Sequence, residues 1–319
     1  MIIVTGGAGF IGSNLILALN LKGRDDILIV DDLTDGSKFR NLVNAKLIDY
    51  WDVAEFELYI KENKLFKEKV DAIFHQGACT TTTEWDGCYM MKNNYTYSKY
   101  LLNYCLEHEI PFLYASSAAV YGTQLSFTEN QGNEMPVNVY GYSKYLFDEY
   151  VRQKSKNYKS QVIGLRYFNV YGPGEQHKGA MASTVFHFNN QLLSEKCVKL
   201  FKGSGGYADG EQHRDFIHVD DVVAVNLWFF ENTAISGIFN VGTGRSRSFN
   251  DVARTIIDWH GFGDIQYIDF PEYLKESYQS YTKADIQALR DAGYVNEFLS
   301  LEAGAKQYLD CLNLDGKQN

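Results

Sequence analysis

The chain opens with MIIVTGGAGFIG (1–12), in which a short apolar run leads directly into a glycine-rich turn. The run Ile2–Thr5 is typical of a buried strand, and the glycines Gly6, Gly9 and Gly12 have the spacing GxxGxxG. Between a strand and a helix, such glycines permit a tight turn, close approach of a diphosphate and close packing of the helix. The N–H groups at the helix start favour phosphate. The stretch therefore predicts a dinucleotide-binding unit.

An acidic residue ends the second apolar run, because Asp31 stands about 20 residues after the last glycine. An acid in this place accepts hydrogen bonds from the adenosine ribose, which favours NAD. Lys38 and Arg40 follow it and offer positive charge to a ribose 2′-phosphate, which favours NADP. The spacing alone leaves both cofactors open.

Short apolar runs alternate with helix-length stretches through the first half of the chain. They predict strands at Ile2–Thr5, Ile27–Asp31, Ala72–His75, 112–116 and 162–166, with helices at about 10–22, 54–62, 86–108 and 140–156. This alternation predicts an α/β fold of the Rossmann type, a doubly wound parallel sheet with helices on both faces. The second half predicts helices near 181–194, 220–231, 249–258, 283–291 and 300–312, strands near 238–241 and 265–269, and a loop over 201–216.

The length of 319 residues suggests two domains or one large domain. The chain has only 4 prolines and no linker rich in serine and glycine, so a second domain is expected to be interleaved with the first. We predict a dinucleotide-binding domain over 1–168 and about 215–238. A smaller α/β substrate-binding domain is predicted over 169–214 and about 239–319.

Charge and cysteine content argue against several classes of partner and site. A net charge of −10 argues against nucleic acid or an anionic membrane as the main partner. The 5 cysteines are odd in number and form no C-x-x-C pair, which argues against a disulfide framework and a zinc site; we expect no metal. The chain shows no signal peptide and no apolar run of about 18 residues, so we expect a cytoplasmic protein.

Tyr140 and Lys144 stand four residues apart in YGYSK (140–144), so both side chains lie on one face of a helix. A tyrosine of ordinary pKa is a poor base at pH 7, and a neighbouring ammonium group together with an oxidised nicotinamide would lower that pKa. Ser117 ends an apolar strand, at the sheet edge where ligands bind in such folds. Its hydroxyl is suited to hydrogen-bond a reacting oxygen, so these three residues are the candidate catalytic group.

Six motifs follow one another along the chain: TGGAGFIG, HQGAC, SSAAVYG, YGYSK, RYFNVYGP and RDFIHVDDV. In this order they resemble the extended short-chain dehydrogenase/reductase superfamily, which includes epimerases and dehydratases of nucleotide sugars. Four longer segments resemble, more narrowly, the ADP-L-glycero-D-manno-heptose 6-epimerase family. They are TTTTEWDGCYMMKNNY (80–95), VNVYGYSKYLFDEYVRQ (137–153), FNVYGPGEQHKGAMAS (168–183) and SYQSYTKAD (277–285). The resemblance covers nearly the whole chain.

The resemblance implies inversion of carbon 6 of the heptose in ADP-D-glycero-D-manno-heptose, a precursor of the inner core of bacterial lipopolysaccharide. Tightly bound NADP, one per subunit, would take hydride from that carbon and return it to the opposite face through a transient ketone. The two bases of the family match Tyr140 and Lys178, its serine matches Ser117, and its motif lysine matches Lys144. The resemblance also implies a homo-oligomer, in particular a pentamer.

Further contacts carry over from the family residue by residue. The cofactor contacts match Gly6, Gly9, Phe10, Ile11, Gly12, Asp31, Asp32, Lys38, Gln76, Gly77, Ala78, Cys79, Thr80, Asn93, Lys144, Val170 and Lys178. The substrate contacts match Ser117, Asn169, Ala180, His187, Phe201, Lys202, Gly203, Ser204, Arg214 and Tyr278. The guanidinium of Arg214 suits the diphosphate of the nucleotide.

The chain departs from the family pattern at two places. Val53 stands where the family often has a basic residue that contacts the 2′-phosphate of NADP, so NAD stays open as the cofactor. The loop before Arg214, GGYADGEQH (205–213), is a few residues longer than usual. We therefore expect substrate closure or contacts between subunits to differ from the family at this loop.

Other activities remain as alternatives. A nucleotide-sugar 4-epimerase uses one tyrosine base and has no need of Lys178. A dehydratase needs carboxyl groups beside Ser117, where Ala118 and Ala119 stand instead. A dehydrogenase would release reduced cofactor, and a non-catalytic dinucleotide-binding protein typically lacks the tyrosine or the lysine of the YxxxK motif.

Overall fold

The computed structural model describes residues 1–154, 159–271 and 279–315. Its strands are β1 (Ile2–Thr5), β2 (Ile27–Asp31), β3 (Asp49–Asp52), β4 (Ala72–His75), β5 (Phe112–Ser117), β6 (Val162–Tyr167), β7 (Asn169–Tyr171), β8 (Cys197–Phe201), β9 (His213–His218), β10 (Gly237–Val241), β11 (Ser246–Ser248) and β12 (Asp264–Ile268). Its α-helices are α1 (Phe10–Leu21), α2 (Val53–Lys61), α3 (Gly87–Met90), α4 (Tyr97–Glu107), α5 (Val139–Lys154), α6 (Thr184–Glu195), α7 (Val219–Glu231), α8 (Phe249–His260), α9 (Gln287–Asp291) and α10 (Leu301–Asp315).

The chain forms two compact units. The first comprises Met1–Val120, Pro136–Arg166 and Val223–Phe239, and the second comprises the remaining segments. Seven strands form one sheet in the order β10-β6-β5-β4-β1-β2-β3. Strand β1 pairs in parallel with β2 and β4, β2 pairs in parallel with β3, and β4 with β5. The strand order reverses between β1 and β4, where folds of this type bind ligands at the carboxyl ends of the strands.

Helices cover both faces of this sheet. Neighbouring residues of a strand face opposite sides. Ile73 of β4 lies in a core with Phe56 of α2 and Phe147 of α5. The next residue, Phe74, faces the other side, where the centre of its ring lies 5.5 Å from that of Phe230 in α7. The predicted Rossmann-type, doubly wound sheet is therefore confirmed.

The second unit also combines strands and helices. Strand β9 pairs in parallel with β7 and antiparallel with β11, and β8 pairs in parallel with β12. Helices α6, α8 and α10 share one apolar core with these strands, to which they contribute Val185, Ile256 and Leu309 respectively. In the part of the chain that the structure describes, no helix has the length and apolar character that a membrane crossing needs.

Three parts of the secondary-structure prediction are wrong, and the last residues of the helix predicted over 140–156 lie outside the described residues. A π-helical turn, Met91–Thr96, interrupts the helix predicted near 86–108. The loop predicted over 201–216 ends in strand β9. The helix predicted near 283–291 is reduced to α9, because the N–H of Ala284 binds the carboxylate of Asp215 at 3.0 Å and holds the preceding chain beside β9.

Candidate active site

The glycine-rich turn joins β1 to α1 and keeps the start of the helix open. Gly6 has a φ of +66°, a left-handed conformation that favours glycine, and a Cβ there would lie 2.5 Å from the backbone nitrogen of Gly77. A Cβ on Gly12 would lie 2.1 Å from the carbonyl oxygen of Gly6. Gly9 precedes the first turn of α1, and no described side chain caps this helix. The N–H groups of that turn are therefore placed to bind phosphate.

A cavity of about 200 Å³ lies at the carboxyl ends of β1 and β2. Many of the predicted cofactor contacts share its wall: Gly6, Asp31, Asp32, Lys38, Gly77, Ala78, Cys79 and Asn93. The remaining wall is formed by Thr5, Val30, Val53, Tyr89 and Tyr97. The sequence marks only Val53 among this second group. The structure therefore brings predicted cofactor contacts from four separate stretches of the sequence to one cavity.

The other predicted cofactor contacts lie outside this wall. The start of α1 contains Gly9, Phe10, Ile11 and Gly12. Gln76 donates a hydrogen bond to Asn226 at 3.2 Å, and Thr80 is exposed. Val170 and Lys178 belong to the second unit.

Both oxygens of the Asp31 carboxylate are engaged at the cavity. Oδ2 accepts a hydrogen bond from the N–H of Ala8 at 2.7 Å. Oδ1 accepts from the N–H of Asp32 and from Nζ of Lys38, each at 2.7 Å. The Asp31 carboxylate therefore stabilises the glycine-rich turn through the N–H of Ala8. Lys38 neutralises the charge of this carboxylate at the place where the adenosine ribose is expected.

Asn94 is a buried residue of this site that the sequence does not mark. It lies in the π-helical turn, a geometry that is frequent at functional sites. Its Oδ1 accepts from the N–H of Cys79 at 2.8 Å, and its Nδ2 donates to the carbonyl of Cys79 at 2.9 Å. Nδ2 also lies 3.2 Å from Oγ of Ser143, the residue before Lys144. Asn94 therefore joins the cavity wall to helix α5.

Tyr140 and Lys144 lie on α5, and Ser117 ends β5. Nζ of the buried Lys144 donates to the carbonyl of Ala115 at 2.8 Å, and burial lowers the pKa of Lys144 to about 8. Burial raises the pKa of Tyr140, and a hydrogen bond with Ser117 lowers it by less. The predicted lowering of the Tyr140 pKa is therefore not found for the protein by itself, because burial disfavours the phenolate.

A buried ion pair fixes α5 against the strand that ends in Ser117. Oδ2 of Asp148 accepts from Nε and Nη2 of Arg166 at 2.9 and 2.8 Å, and neither side chain is exposed. The hydroxyls of Tyr114 and Ser116 donate to the same carboxylate at 2.8 and 2.9 Å. Asp148 therefore links α5, β5 and β6 at one point, one helical turn from Lys144.

Replacing Arg166 by methionine should lower the free energy of unfolding by about 3–5 kcal/mol, because Asp148 would stay buried without its counter-charge. The midpoint of urea unfolding measures this loss. Arg152→Met, which removes a partly exposed pair with Glu149 on the same helix, should change stability by about 1 kcal/mol or less. Equal midpoints for the two variants would contradict the assignment.

Lys178 lies in the turn Gln176–Met181 of the second unit. Burial lowers the pKa of Lys178, and the negative charge of Glu175 raises it by less. The lysine is therefore shifted towards the neutral amine that a base requires. Three predicted substrate contacts on β7, in this turn and on α6 are exposed or partly buried: Asn169, Ala180 and His187.

The predicted substrate contacts that follow β8 are held together by Gln212, a buried residue that the sequence does not mark. Nε2 of Gln212 lies 3.3 Å from the carbonyl oxygen of Lys202 and 3.2 Å from Oγ of Ser204. Phe201 ends β8, and the N–H of Gly203 donates to Oδ1 of Asp209 at 2.7 Å. The structure therefore gathers this predicted group in one place.

Arg214 lies on β9 and is 7% exposed. Its Nη1 donates to the carbonyl of His213 at 2.9 Å, and its guanidinium carbon lies 5.6 Å from the centre of the Phe249 ring. The last predicted substrate contact, Tyr278, lies outside the described residues.

Residues 2–242 match the model of the NAD dependent epimerase/dehydratase family. Over 312 residues the chain is 54% identical to an ADP-L-glycero-D-manno-heptose-6-epimerase of Alkalilimnicola ehrlichii, covering 98% of this chain and 97% of that protein. The crystal structure of the Helicobacter pylori ADP-L-glycero-D-manno-heptose-6-epimerase superposes with a TM-score of 0.85 at 33% identity, covering 98% of this chain and 96% of that one. A UDP-N-acetylglucosamine 4-epimerase from Methanobrevibacter ruminantium has a TM-score of 0.83 at 26% identity and 98% coverage of both chains. The glycine-rich turn, the strand order and these matches agree: the chain belongs to the NAD dependent epimerase/dehydratase family.

Proposed function

We propose that the chain is an ADP-L-glycero-D-manno-heptose 6-epimerase, which inverts carbon 6 of the heptose in ADP-D-glycero-D-manno-heptose. The observation that carries the proposal is the 54% identity over 98% of the chain to a protein of that name. The product is a precursor of the lipopolysaccharide inner core. We assign the cofactor to the first unit and the nucleotide sugar to the second.

The first unit is suited to a nicotinamide dinucleotide. A Cβ at Gly6 or Gly12 would collide with backbone, so only glycines at these positions allow the turn its conformation, which is the one that binds a diphosphate in this fold. The cavity beside it has polar groups at the end of β2, where a ribose binds in this fold. A bound nicotinamide would supply reversible hydride transfer at carbon 6, so the overall reaction would need no external oxidant.

Three residues assist the change of the hydroxyl on the reacting carbon to a ketone and back: Tyr140, Ser117 and Lys144. Tyr140 exchanges a proton with this hydroxyl as it becomes a ketone and is then reduced. Ser117 donates its single O–H to the same oxygen when substrate is bound, and without substrate it donates to Tyr140, which lowers the pKa of the tyrosine. The Lys144 ammonium stabilises the Tyr140 phenolate and contacts the cofactor ribose.

Lys178 is the second base. If the ketone keeps one orientation between the two hydride transfers, inversion requires proton exchange on both of its faces, and a single tyrosine serves one face. The amine of Lys178 is suited to this task because burial lowers its pKa towards neutrality. The ADP-heptose is contacted by Asn169, Ala180, His187, Phe201, Lys202, Gly203, Ser204, Arg214 and Tyr278.

We propose NADP as the cofactor, with NAD as the alternative. Lys38 is the basic residue on the cavity wall, and Val53 on the same wall adds no charge. Replacing Lys38 by alanine should weaken NADP binding by about 10- to 100-fold and NAD binding much less, because one charge-assisted hydrogen bond to the 2′-phosphate is lost.

Isothermal titration of the cofactor-free protein with each dinucleotide measures this difference. The matched control is Lys46→Ala, which removes an exposed lysine paired with Asp25 outside the cavity. It should leave both affinities unchanged. If Lys38→Ala lowered the affinities for NADP and NAD equally, Lys38 would not be the residue that contacts the 2′-phosphate.

We further propose a cytoplasmic homo-oligomer, a pentamer, as the family resemblance implies. Light scattering after gel filtration measures the number of 36.4 kDa subunits in the assembly. A monomer at micromolar concentration would contradict this part of the proposal.

A product assay tests the activity itself. The protein with its bound cofactor is incubated with ADP-D-glycero-D-manno-heptose, proton NMR follows the configuration of carbon 6, and absorbance at 340 nm is read in parallel. Inversion without a lasting rise in absorbance supports the epimerase with an internally returned hydride. A lasting rise indicates a dehydrogenase, and inversion of a UDP-hexose at carbon 4 alone indicates a 4-epimerase.

A further inference from the structure

Glu175 is a fully buried carboxylate to which the mechanism above gives no role. Its Oε1 accepts a hydrogen bond from the N–H of Gly172 at 3.3 Å and from Oγ of Ser183 at 2.6 Å. Its Oε2 accepts from the N–H of Ser183. Three donors from two separate positions of the chain therefore converge on one side chain.

These bonds close the loop 172–183 at both ends. Gly172 directly follows β7, and Ser183 is the N-cap of α6, where its Oγ accepts from the N–H of Phe186 at 3.3 Å. The backbone oxygen of Glu175 also accepts from the N–H of Lys178 at 2.9 Å. Glu175 therefore begins the turn that carries Lys178 and ties that turn to a strand and a helix.

A carboxylate is an unfavourable choice if it only closes a loop, because burying a charge has a desolvation penalty that a neutral amide avoids. It does offer acceptors on both oxygens, which the two donors of Ser183 use. It also interacts electrostatically with Lys178: burial raises the pKa of Glu175, and the positive charge of Lys178 lowers it by less. Tyr308 of α10 is a further titratable group that faces the carboxylate.

We propose that Glu175 is a positioning residue for the second base: its carboxylate holds the loop 172–183 in the shape that presents the Lys178 amine to the substrate. This inference rests on the proposed function, in which Lys178 is that base. Misplacement of a reacting group by about 1 Å can lower turnover by about 100-fold, so a loop tied at both ends by one residue is a sensitive element.

Two variants remove the tie in different ways. Glu175→Gln replaces one acceptor oxygen by a donor and removes the charge, whereas Ser183→Ala removes one donor and leaves the charge. Each should lower kcat by about 10- to 100-fold with a smaller change in KM and in cofactor affinity. Ser248→Ala is the matched control, because Ser248 caps α8 in the same unit and touches neither the loop nor Glu175. It should retain wild-type kcat.

A second readout does not depend on turnover. Competitive labelling of lysines across a pH series, read by mass spectrometry, reports the pKa of Lys178. In Glu175→Gln this pKa should fall, because the negative charge that raises it is gone. In Ser183→Ala, which retains the carboxylate, the titration should shift less than in Glu175→Gln. If Glu175→Gln does not fold, the inference is tested by comparing kcat of Ser183→Ala with kcat of its control, Ser248→Ala.

The outcomes separate this inference from the proposed function. Wild-type kcat in Glu175→Gln and Ser183→Ala, together with an inactive Lys178→Met, would overturn the inference and leave Lys178 as the base. Equal losses in Ser183→Ala and Ser248→Ala would overturn it as well, since loss of any helix cap would then suffice. Wild-type turnover in Lys178→Met would overturn both the second base and the role of Glu175.

Discussion

Tyr140→Phe should lower the rate of carbon 6 inversion by about 100- to 10,000-fold, the range that a positioned proton-transfer group contributes. The substitution removes only the hydroxyl, so the ring keeps its place on α5 while the substrate oxygen loses its proton partner. Cofactor affinity should change little, because Lys144 and the glycine-rich turn remain. Proton NMR at carbon 6 gives the rate, and the cofactor released on denaturation gives the occupancy.

The control for Tyr140→Phe is Tyr142→Phe. Tyr142 lies two residues further along α5, on a different face of the helix from Tyr140, and its side chain is 46% exposed. This variant should retain wild-type turnover and occupancy. A Tyr140→Phe protein with turnover within about tenfold of wild type would exclude the tyrosine as a general acid and base.

The parts of the fold that could be predicted are those in which neighbouring residues decide the conformation. Apolar runs of four to six residues predict the buried strands of the first unit, because each of these strands is buried on both faces of the sheet. The glycine spacing predicts the turn after β1, because a Cβ at Gly6 or Gly12 would clash with neighbouring backbone atoms. The spacing of Tyr140 and Lys144 placed both on one face of a helix, as the structure of α5 bears out.

The parts that could not be predicted depend on partners far away in the chain. Asn94 is set by a π-helical turn, and nothing in the run KNN (92–94) distinguishes it from Asn93. Asp148 and Arg166 read as ordinary charges of an α-helix and a strand until both are found buried against each other. Strand β9 follows a glycine-rich stretch and begins with polar residues, so the local sequence does not indicate that it forms a strand paired with β7 and β11.

The same distinction applies to the candidate site. Motif matching predicts which residues touch cofactor and substrate, since the types of those residues are dictated by the chemistry. It did not identify Asn94, Glu175 or Gln212, whose side chains hydrogen-bond the segments that carry those residues. Such supporting groups are recognised only from contacts, because the same residue types are common on protein surfaces.

Gly12→Ala should abolish tight cofactor binding, with an increase in Kd of about 100-fold or more, equal to about 2.7 kcal/mol. A Cβ at this position would lie 2.1 Å from the carbonyl oxygen of Gly6, and no side-chain rotation relieves a clash between Cβ and backbone. The start of α1 must therefore move away from the turn, and with it the N–H groups that would bind the diphosphate. Isothermal titration measures the affinity, and circular dichroism checks that the sheet is intact. Gly87→Ala, where a Cβ would have nothing within 4 Å, should bind like wild type. Wild-type affinity in Gly12→Ala would show that the diphosphate does not lie on the N-terminus of α1.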